Sequence, residues 1–366
     1  MKIAIVHDYL SQYGGAERVV EVLHEMFPEA PIFTSIFLPG VMPEVFRKMD
    51  IRTSNMQKYP FIKKHSKKYL LSYFRAFKKF DLSGYDLILS SSSSFAKGVK
   101  KKDGAVHICY CYTPTRFIWR YEDYVKREGF NRLLLLFLPL IIKYLKKKDL
   151  ESIKGVDHFI AISTAVAGRI KECYGRNSVV IYPPVNTHNY EISGVVKDYY
   201  LIVSRLRGYK RIDLAIKAFN TLGLPLKIVG DGDLAAQLKS IAGPNIEFLG
   251  KLTDLQIKKL YAEARAVVFP GEEDFGIVPL EAQASGRPVI AFGAGGAKET
   301  VIAGKTGIFF DFQTEEELIG AVKACEQKVW NPAEIKANAE RFSVNNFKEA
   351  LSRYVDSKHK TKIIDF

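Results

Sequence analysis

The sequence predicts an α/β protein of two domains whose parallel sheets face each other across a cleft. Three observations carry that expectation. Short apolar runs alternate with stretches of helical spacing, the pattern of βαβ units. The alternation runs twice, broken at Tyr182-Pro183-Pro184-Val185 and by the polar, turn-rich dozen residues that follow. The length of 366 residues suits two domains at roughly 100–200 residues each.

In chain order, Lys2–Val6 reads as a short, fully buried strand, followed by a loop with Gly14-Gly15 and helical spacing over Ala16–Met26. Further strands are expected at Tyr85–Ser90, Val106–Tyr112, His158–Ile162 and Val179–Tyr182. The second alternation has strands at Tyr200–Ser204, Leu226–Val229, Ile246–Leu249, Ala266–Phe269, Pro288–Ala291 and Gly307–Phe310, with helices from 315 to 355 closing the chain. The expected boundaries are an N-terminal domain over 1–185, a C-terminal domain over 198–345 and a final helix over 346–366, for which a return to the N-terminal domain is one option.

Composition excludes several classes. With 47% hydrophobic and 26% charged residues and 15 Pro, the chain is neither disordered nor collagen-like, and no period of 20–50 residues marks a solenoid. Four Cys in so long a chain are no disulfide framework. The opening MKIAIVHDYL lacks the long apolar region of a signal peptide. The longest uncharged apolar run, Leu133–Ile142, has ten residues where a membrane span needs about twenty. A cytoplasmic protein is expected.

The net charge of +14 is uneven: residues 51–150 carry 22 basic against 7 acidic residues. Within them lie KKHSKKYLLSYFRAFKKF (63–80), KGVKKK (97–102) and KYLKKK (143–148), with aromatics interleaved. Such a stretch suits an anionic lipid surface, where each cation contributes on the order of 1 kcal/mol. A solvated face with no partner is the plainer alternative. Nucleic acid is not expected, because no binding motif accompanies the charge. The run Arg132–Lys143, apolar all round, reads either as a core helix or as an interfacial segment beside Lys146–Lys148.

Open parallel sheets bind ligands beyond the C-terminal ends of their strands, and three loops there carry chemistry. In Ser11–Glu17 the paired Gly14 and Gly15 let backbone amides approach a diphosphate; a flexible turn capping a helix is the other reading. No G-x-G-x-x-G is present, so a dinucleotide site is not supported. In Ser204–Arg211 the cations Arg205 and Lys210 precede a helix, where they oppose its dipole unless an anion sits between; solvated loop charges are the alternative. In Glu273–Glu281 two carboxylates eight apart span a loop and the first turn of a helix, so that Glu281 can accept two ribose hydroxyls while Glu273 faces a sugar, with free amides at Gly276–Val278.

Together these motifs resemble a family 4 glycosyltransferase of the GT-B fold, with two Rossmann-like α/β domains. The second half is similar through SRLRGYKRID, IVGDGDL, FLGKLTD, FPGEEDFGIVPLEAQASGRPVIAFGAGGAKETV and GKTGIFF. The first half resembles the O-antigen and capsule mannosyltransferase branch through HDYLSQYGGAERV, DLSGYDLILSSSSSFAKGV, HICYCYTPTRFIW and VIYPPV. The resemblance covers nearly the whole chain. It implies transfer of a hexose from a nucleotide-sugar with retention of configuration, GDP-mannose being the favoured donor and a UDP-sugar the alternative. The acceptor would be a glycan, or one linked to polyprenyl diphosphate, reached at the inner face of the cell membrane by a peripheral enzyme.

By the same resemblance Arg205 and Lys210 stabilise the leaving diphosphate, Glu281 binds the ribose, and Glu273 with Phe275, Gly276, Ile277 and Val278 binds the donor sugar. Gly14 and Gly15 close over the phosphates, Gly230 and Leu249 join the donor side, and Asp8, Tyr112 and Arg116 face the acceptor. No protein nucleophile is implied; the departing phosphate oxygen takes the acceptor proton, so Arg205, Lys210, Glu273 and Tyr112 act by position and charge. No cofactor is expected besides the donor as co-substrate.

One departure matters: after HICYC the family usually has His, and this chain has Tyr112, a hydrogen-bonding group but a poor base at neutral pH. It keeps open a catalytically silent nucleotide-sugar-binding protein. A nucleotide-sugar epimerase is a third class, against which the motifs argue. Asp231-Gly-Asp233 looks like a metal-binding D-x-D, but an N-cap carboxylate explains it, and no metal is expected. Cys109, Cys111 and His107 read as buried core.

Overall fold

The computed structural model describes residues 1–121 and 132–364. They form two compact units, one of residues 1–184 with the stretch from 347 onward, the other of residues 185–346.

The first unit holds seven strands: β1 (Ile3–His7), β2 (Ile32–Thr34), β3 (Ile51–Thr53), β4 (Leu87–Ser92), β5 (Val106–Cys111), β6 (His158–Ala161) and β7 (Ser178–Val180). Their order is β3-β2-β1-β4-β5-β6-β7, every pair parallel. Strands covered on both faces need no polar alternation, and Ala4, Ile5 and Val6 on β1 and Ile88 on β4 are fully buried. The sequence pattern did not reveal β2 and β3. Each has three residues, too few for a period to register. The chain order reverses between β1 and β4, which makes their carboxyl ends the switch point of the sheet.

The second unit holds β8 (Tyr200–Val203), β9 (Leu226–Val229), β10 (Ile246–Gly250), β11 (Val267–Phe269), β12 (Val289–Phe292) and β13 (Gly307–Phe310). The order is β10-β9-β8-β11-β12-β13, again all parallel, with the switch between β8 and β11. Alternate residues of β8 feed opposite cores. Tyr200 and Ile202 pack with Phe219, Phe310 and Leu318, while Leu201 packs with Tyr261, Val267 and Ala291.

Local chemistry sets several helix ends. Ser163 accepts from the Val166 amide at 3.1 Å and Gly175 ends that helix in the left-handed region (φ 66°). Thr253 and Gln256 form a capping box, and Asn331 caps a helix that opens on Pro332. The last helix, Val344–Ile364, packs on the first unit, with Phe347 edge-on to Tyr110 at 5.7 Å and Lys348 paired to Glu25 at 2.8 Å.

Helix Arg132–Ser152 is two-faced. Ile142 and Leu145 are buried, whereas Phe137, Leu140, Ile141 and Tyr144 are exposed, an i, i+3, i+4, i+7 spacing that puts them on one stripe. One face of the run is thus core and the other points outward. Residues 122–131, part of the basic stretch, lie outside the described residues. Among the described residues no helix is long and apolar enough to cross a membrane.

His107 on β5 is fully buried, with Nε2 2.7 Å from Ser90 Oγ. Burial pushes its pKa down to about 4, against the pull of Asp157. The unfolded chain takes up this proton near pH 6.5 and the folded one only near pH 4, so the contribution is intact above about 6.5 and lost as the pH falls. Acidification from pH 7 to 4 is expected to cost about 3 kcal/mol through this group. In His107→Gln that share of the pH dependence of the urea midpoint disappears; an unchanged slope would contradict the assignment.

Candidate functional site

In the second unit four loops leave the carboxyl ends of β8, β9, β11 and β12 and are drawn together by backbone contacts that exclude a side chain. Gly230, at φ 128°, lies so close to the β8 loop that a Cβ would stand 1.9 Å from the Ser204 carbonyl oxygen. A Cβ on Gly296 would stand 2.2 Å from Phe275 Cα, and the Gly296 amide donates to the Glu273 carbonyl at 2.9 Å. The loop carrying Glu273 is thus fixed from behind.

Into this frame the sequence places its charges. Lys210 Nζ donates to Glu273 Oε1, the two side chains being 13% and 22% exposed. Lys210 also lies 5.1 Å over the ring of Tyr209. Arg205 is exposed on the same loop. The helix itself starts at Ile212, after a tight turn over Gly208–Lys210 and with Arg211 in the left-handed region (φ 51°), so both cations precede it, as expected.

Helix Ile277–Ala284 begins at Gly276 (φ 94°), which has no side chain to cap the amides of Ile277 and Val278. Glu281 is its fifth residue, in the second turn rather than the first, and is buried; its Oε2 accepts from the Tyr261 hydroxyl at 3.0 Å. Phe275 is buried edge-on to Phe342 at 5.8 Å. Gly230 and Leu249 are half-buried at the ends of β9 and β10.

The N-cap reading of Asp231 and Asp233 is corrected. The following helix, Ala235–Ser240, has Leu234 at its N-cap. Asp231 instead accepts from the Gly232 amide at 2.8 Å, and Asp233 pairs with Arg207 across the loop. Among the described residues no group of three or more His, Cys, Asp or Glu could hold a metal ion.

In the first unit Asp8, next after β1, is buried and spends its carboxylate on the loop beyond β4. It accepts from the amides of Ser93 (2.6 Å), Ser94 (2.9 Å), Phe95 (2.7 Å) and Ala96 (2.6 Å), and from the hydroxyls of Ser92 and Ser93. That is a structural anchor and leaves no oxygen turned to an acceptor, a correction to the expected role. Tyr112 donates to the Ala16 carbonyl at 3.0 Å, and burial holds its hydroxyl far above the usual phenol range, so it is no base. Gly14 and Gly15 stand at the start of helix Gly15–Met26, Gly14 being its extended N-cap without a side-chain bond. Arg116 opens the short helix Arg116–Trp119 and is half-buried. Cys109 and Cys111 are buried.

Sequence reading missed a second buried anchor. Asp149, directly after the run 143–148 for which a lipid surface is the favoured expectation and a solvated face the alternative, is fully buried and accepts from Thr115 (2.8 Å), Trp119 (2.7 Å) and Tyr174 (2.8 Å) while pairing with Lys97 at 2.9 Å. Burial works against the Lys97 charge, but the Asp149 carboxylate overrides it and holds the pKa above the ordinary lysine range. The pair fixes the Thr113–Trp119 segment that carries Arg116.

Comparison with known proteins follows the same division. Residues 13–189 match the profile described as Glycosyltransferase Family 4, and residues 191–342 match Glycosyl transferases group 1. The O-antigen chain mannosyltransferase RfbU of Salmonella typhimurium is 26% identical over 216 residues, 56% of this chain and 61% of that one. O-antigen chain mannosyltransferase C of Escherichia coli is 26% identical over 249 residues, 63% and 64% of the two chains. The matched stretches thus span less than two thirds of these relatives. The crystal structure of Anabaena Alr3699/HepE in complex with UDP aligns over 98% of this chain and 100% of that one, with a TM-score of 0.70 at 19% identity. The fold is GT-B, and with both halves matched from residue 13 to 342 the chain belongs to the family 4 glycosyltransferases, its second half being a group 1 glycosyl transferase module.

Proposed function

We propose that the protein transfers a hexose, mannose from GDP-mannose foremost, to a lipid-linked glycan acceptor in surface polysaccharide synthesis, with retention of configuration and without a metal. The observation that carries this reading is the half-buried Lys210–Glu273 pair beside the uncapped helix that bears Glu281. Before the donor arrives each charge satisfies the other, so neither is left unpaired. A diphosphate is the stronger partner for Lys210, together with Arg205 and the amides at Ile277 and Val278. Its arrival releases the Glu273 carboxylate to accept hydroxyls of the hexose, while Glu281, oriented by Tyr261, takes the ribose hydroxyls. In the first unit the amides of Gly14 and Gly15, at a helix start without a side-chain cap, suit a phosphate. As the glycosidic bond to phosphate lengthens, negative charge grows on the diphosphate, and fixed cations favour that state over the ground state.

The relatives named as O-antigen mannosyltransferases favour mannose. A UDP-sugar is the alternative donor, favoured by the UDP in the Anabaena structure. Membrane contact is supported by the exposed stripe Phe137, Leu140, Ile141 and Tyr144, next to exposed Lys143 and Lys147 on the same helix. The protein would then work as a peripheral enzyme on an anionic leaflet.

Three experiments test this. GDP-mannose near a hundred times its dissociation constant is expected to stabilise the protein by about 2.7 kcal/mol in a melting experiment without metal. Lys210→Ala is expected to lower kcat about 10²–10³-fold with a lesser effect on KM, and Glu281→Ala to weaken donor binding about 10–100-fold. Wild-type-like kinetics in both variants would overturn the assignment, and stabilisation by UDP-sugars alone would change the donor. In sedimentation, vesicles containing phosphatidylglycerol are expected to bind the protein and pure phosphatidylcholine vesicles not. Leu140→Asp and Lys143→Glu should each lower binding about fivefold or more, in line with roughly 1 kcal/mol per contact. Equal binding to both vesicle types would refute the anionic-surface reading.

A further inference from the structure

Beneath the Gly14-Gly15 turn the ends of β1, β4 and β5 hold a chain of polar groups whose directions can be worked out one after another. Tyr112 has a single hydroxyl proton, and the Ala16 carbonyl at 3.0 Å can only accept it. In the 2.8 Å contact between Tyr112 Oη and Ser91 Oγ the donor is therefore Ser91. With its proton committed, Ser91 Oγ accepts from His7 Nδ1 at 3.0 Å. The Ser91 carbonyl, 3.1 Å from the same nitrogen, independently demands a proton there. His7 thus carries its first proton on Nδ1. What remains is Nε2, buried and without a hydrogen bond, facing Glu17 Oε1 at 3.6 Å. His7 is 2% and Glu17 3% exposed.

A bare imidazole nitrogen against a carboxylate sets two acceptors face to face, out of water, which is a costly arrangement. One added proton removes the conflict wherever it resides, as an imidazolium–carboxylate pair or as a carboxylic acid donating to imidazole. We propose that His7 and Glu17 hold one proton between them and that this proton fixes the Gly14-Gly15 turn, making His7 and Glu17 positioning residues for that turn.

The dependence of the turn on this pair follows from its other attachments. Gly14 offers no side-chain cap, and a Cβ there would stand 3.4 Å from Glu17 Oε2, so the carboxylate lies directly against the turn. The first turn of the helix is tied to the strand ends through two side chains: Tyr112 on the Ala16 carbonyl and His7 on Glu17. The other titratable groups around the cluster are accounted for. Asp8, just after β1, is filled by the amides of residues 93–96, Tyr112 stays neutral, and Cys109 on β5 is buried. On the helix, Arg18 lies 5.8 Å over the ring of Tyr13, and Glu21 accepts from the Tyr13 hydroxyl at 2.5 Å. The inference rests on the proposed reading that the Gly14 and Gly15 amides meet a donor phosphate.

Glu17→Gln is the informative variant, because its amide can donate an N–H to His7 Nε2 without any added proton, whereas Glu17→Leu leaves Nε2 unpartnered. Melting temperature and the dissociation constants of GDP and UDP are measured on the full chain between about pH 6 and about pH 9. Folding takes up the shared proton, so wild type is expected to lose stability and nucleotide affinity as the pH rises. Glu17→Gln should show a flatter pH dependence and stay within about threefold of wild-type affinity at the acid end, and Glu17→Leu should bind about tenfold more weakly throughout, the scale of one lost buried hydrogen bond. Equal pH slopes in wild type and Glu17→Gln, or a Glu17→Gln variant as weak as Glu17→Leu, would overturn the proposal. If wild type binds neither nucleotide, the donor reading fails, while the melting curves still decide whether the pair holds a proton.

Discussion

Parallel strands all stop at one edge of their sheet, and the loops leaving that edge have backbone groups with no ladder to join. A buried amide left without a partner costs on the order of 1–3 kcal/mol. The two units meet this constraint differently. In the first, a single carboxylate, Asp8, gathers four successive amides and two hydroxyls from residues 92–96. In the second, glycines let loops bond to one another directly, as where the Gly296 amide reaches the Glu273 carbonyl. Each solution hardens the edge at which a ligand would bind, and the charges of the candidate site are set upon that hardened frame.

Pairing of charge before a ligand arrives is the second theme. Lys210 and Glu273 neutralise each other at the edge of the second sheet, and Lys97 and Asp149 do so in the interior of the first unit. The two pairs differ in what can replace a partner. Asp149 is enclosed by Thr115, Trp119 and Tyr174 and serves packing. Lys210 and Glu273 are 13% and 22% exposed, so that pair is open on one side where the interior pair is closed.

Much of this was legible in the sequence. Apolar runs located eleven of the thirteen strands to within two residues at most ends, because buried parallel strands are uninterrupted and helices between them are amphipathic. Glu273 and Glu281 could be placed on a loop and on the helix after it because a strand precedes them and a glycine turn lies between them. What escaped was set by tertiary partners. Strands β2 and β3 are too short to carry a period; Asp149 sits in a lysine run whose partners lie up to 52 residues away, at Lys97. Asp231 and Asp233 have cap-like spacing, yet Arg207 and the Gly232 amide claim them. Tyr112 was visible as a departure from the family pattern, but only the structure assigns its proton to Ala16.

On the proposed reading the carboxyl edge of the second sheet is a nucleotide-sugar site built on Lys210, Glu273 and Glu281. Hydrogen exchange of the intact protein with and without GDP-mannose reads it most directly, since binding slows the opening of the loops it touches. New protection is expected in residues 204–211, 230–233, 272–281 and 293–297, at the ends of β8, β9, β11 and β12. Protection confined to the opposite edge, at the loops entering those strands, would contradict it.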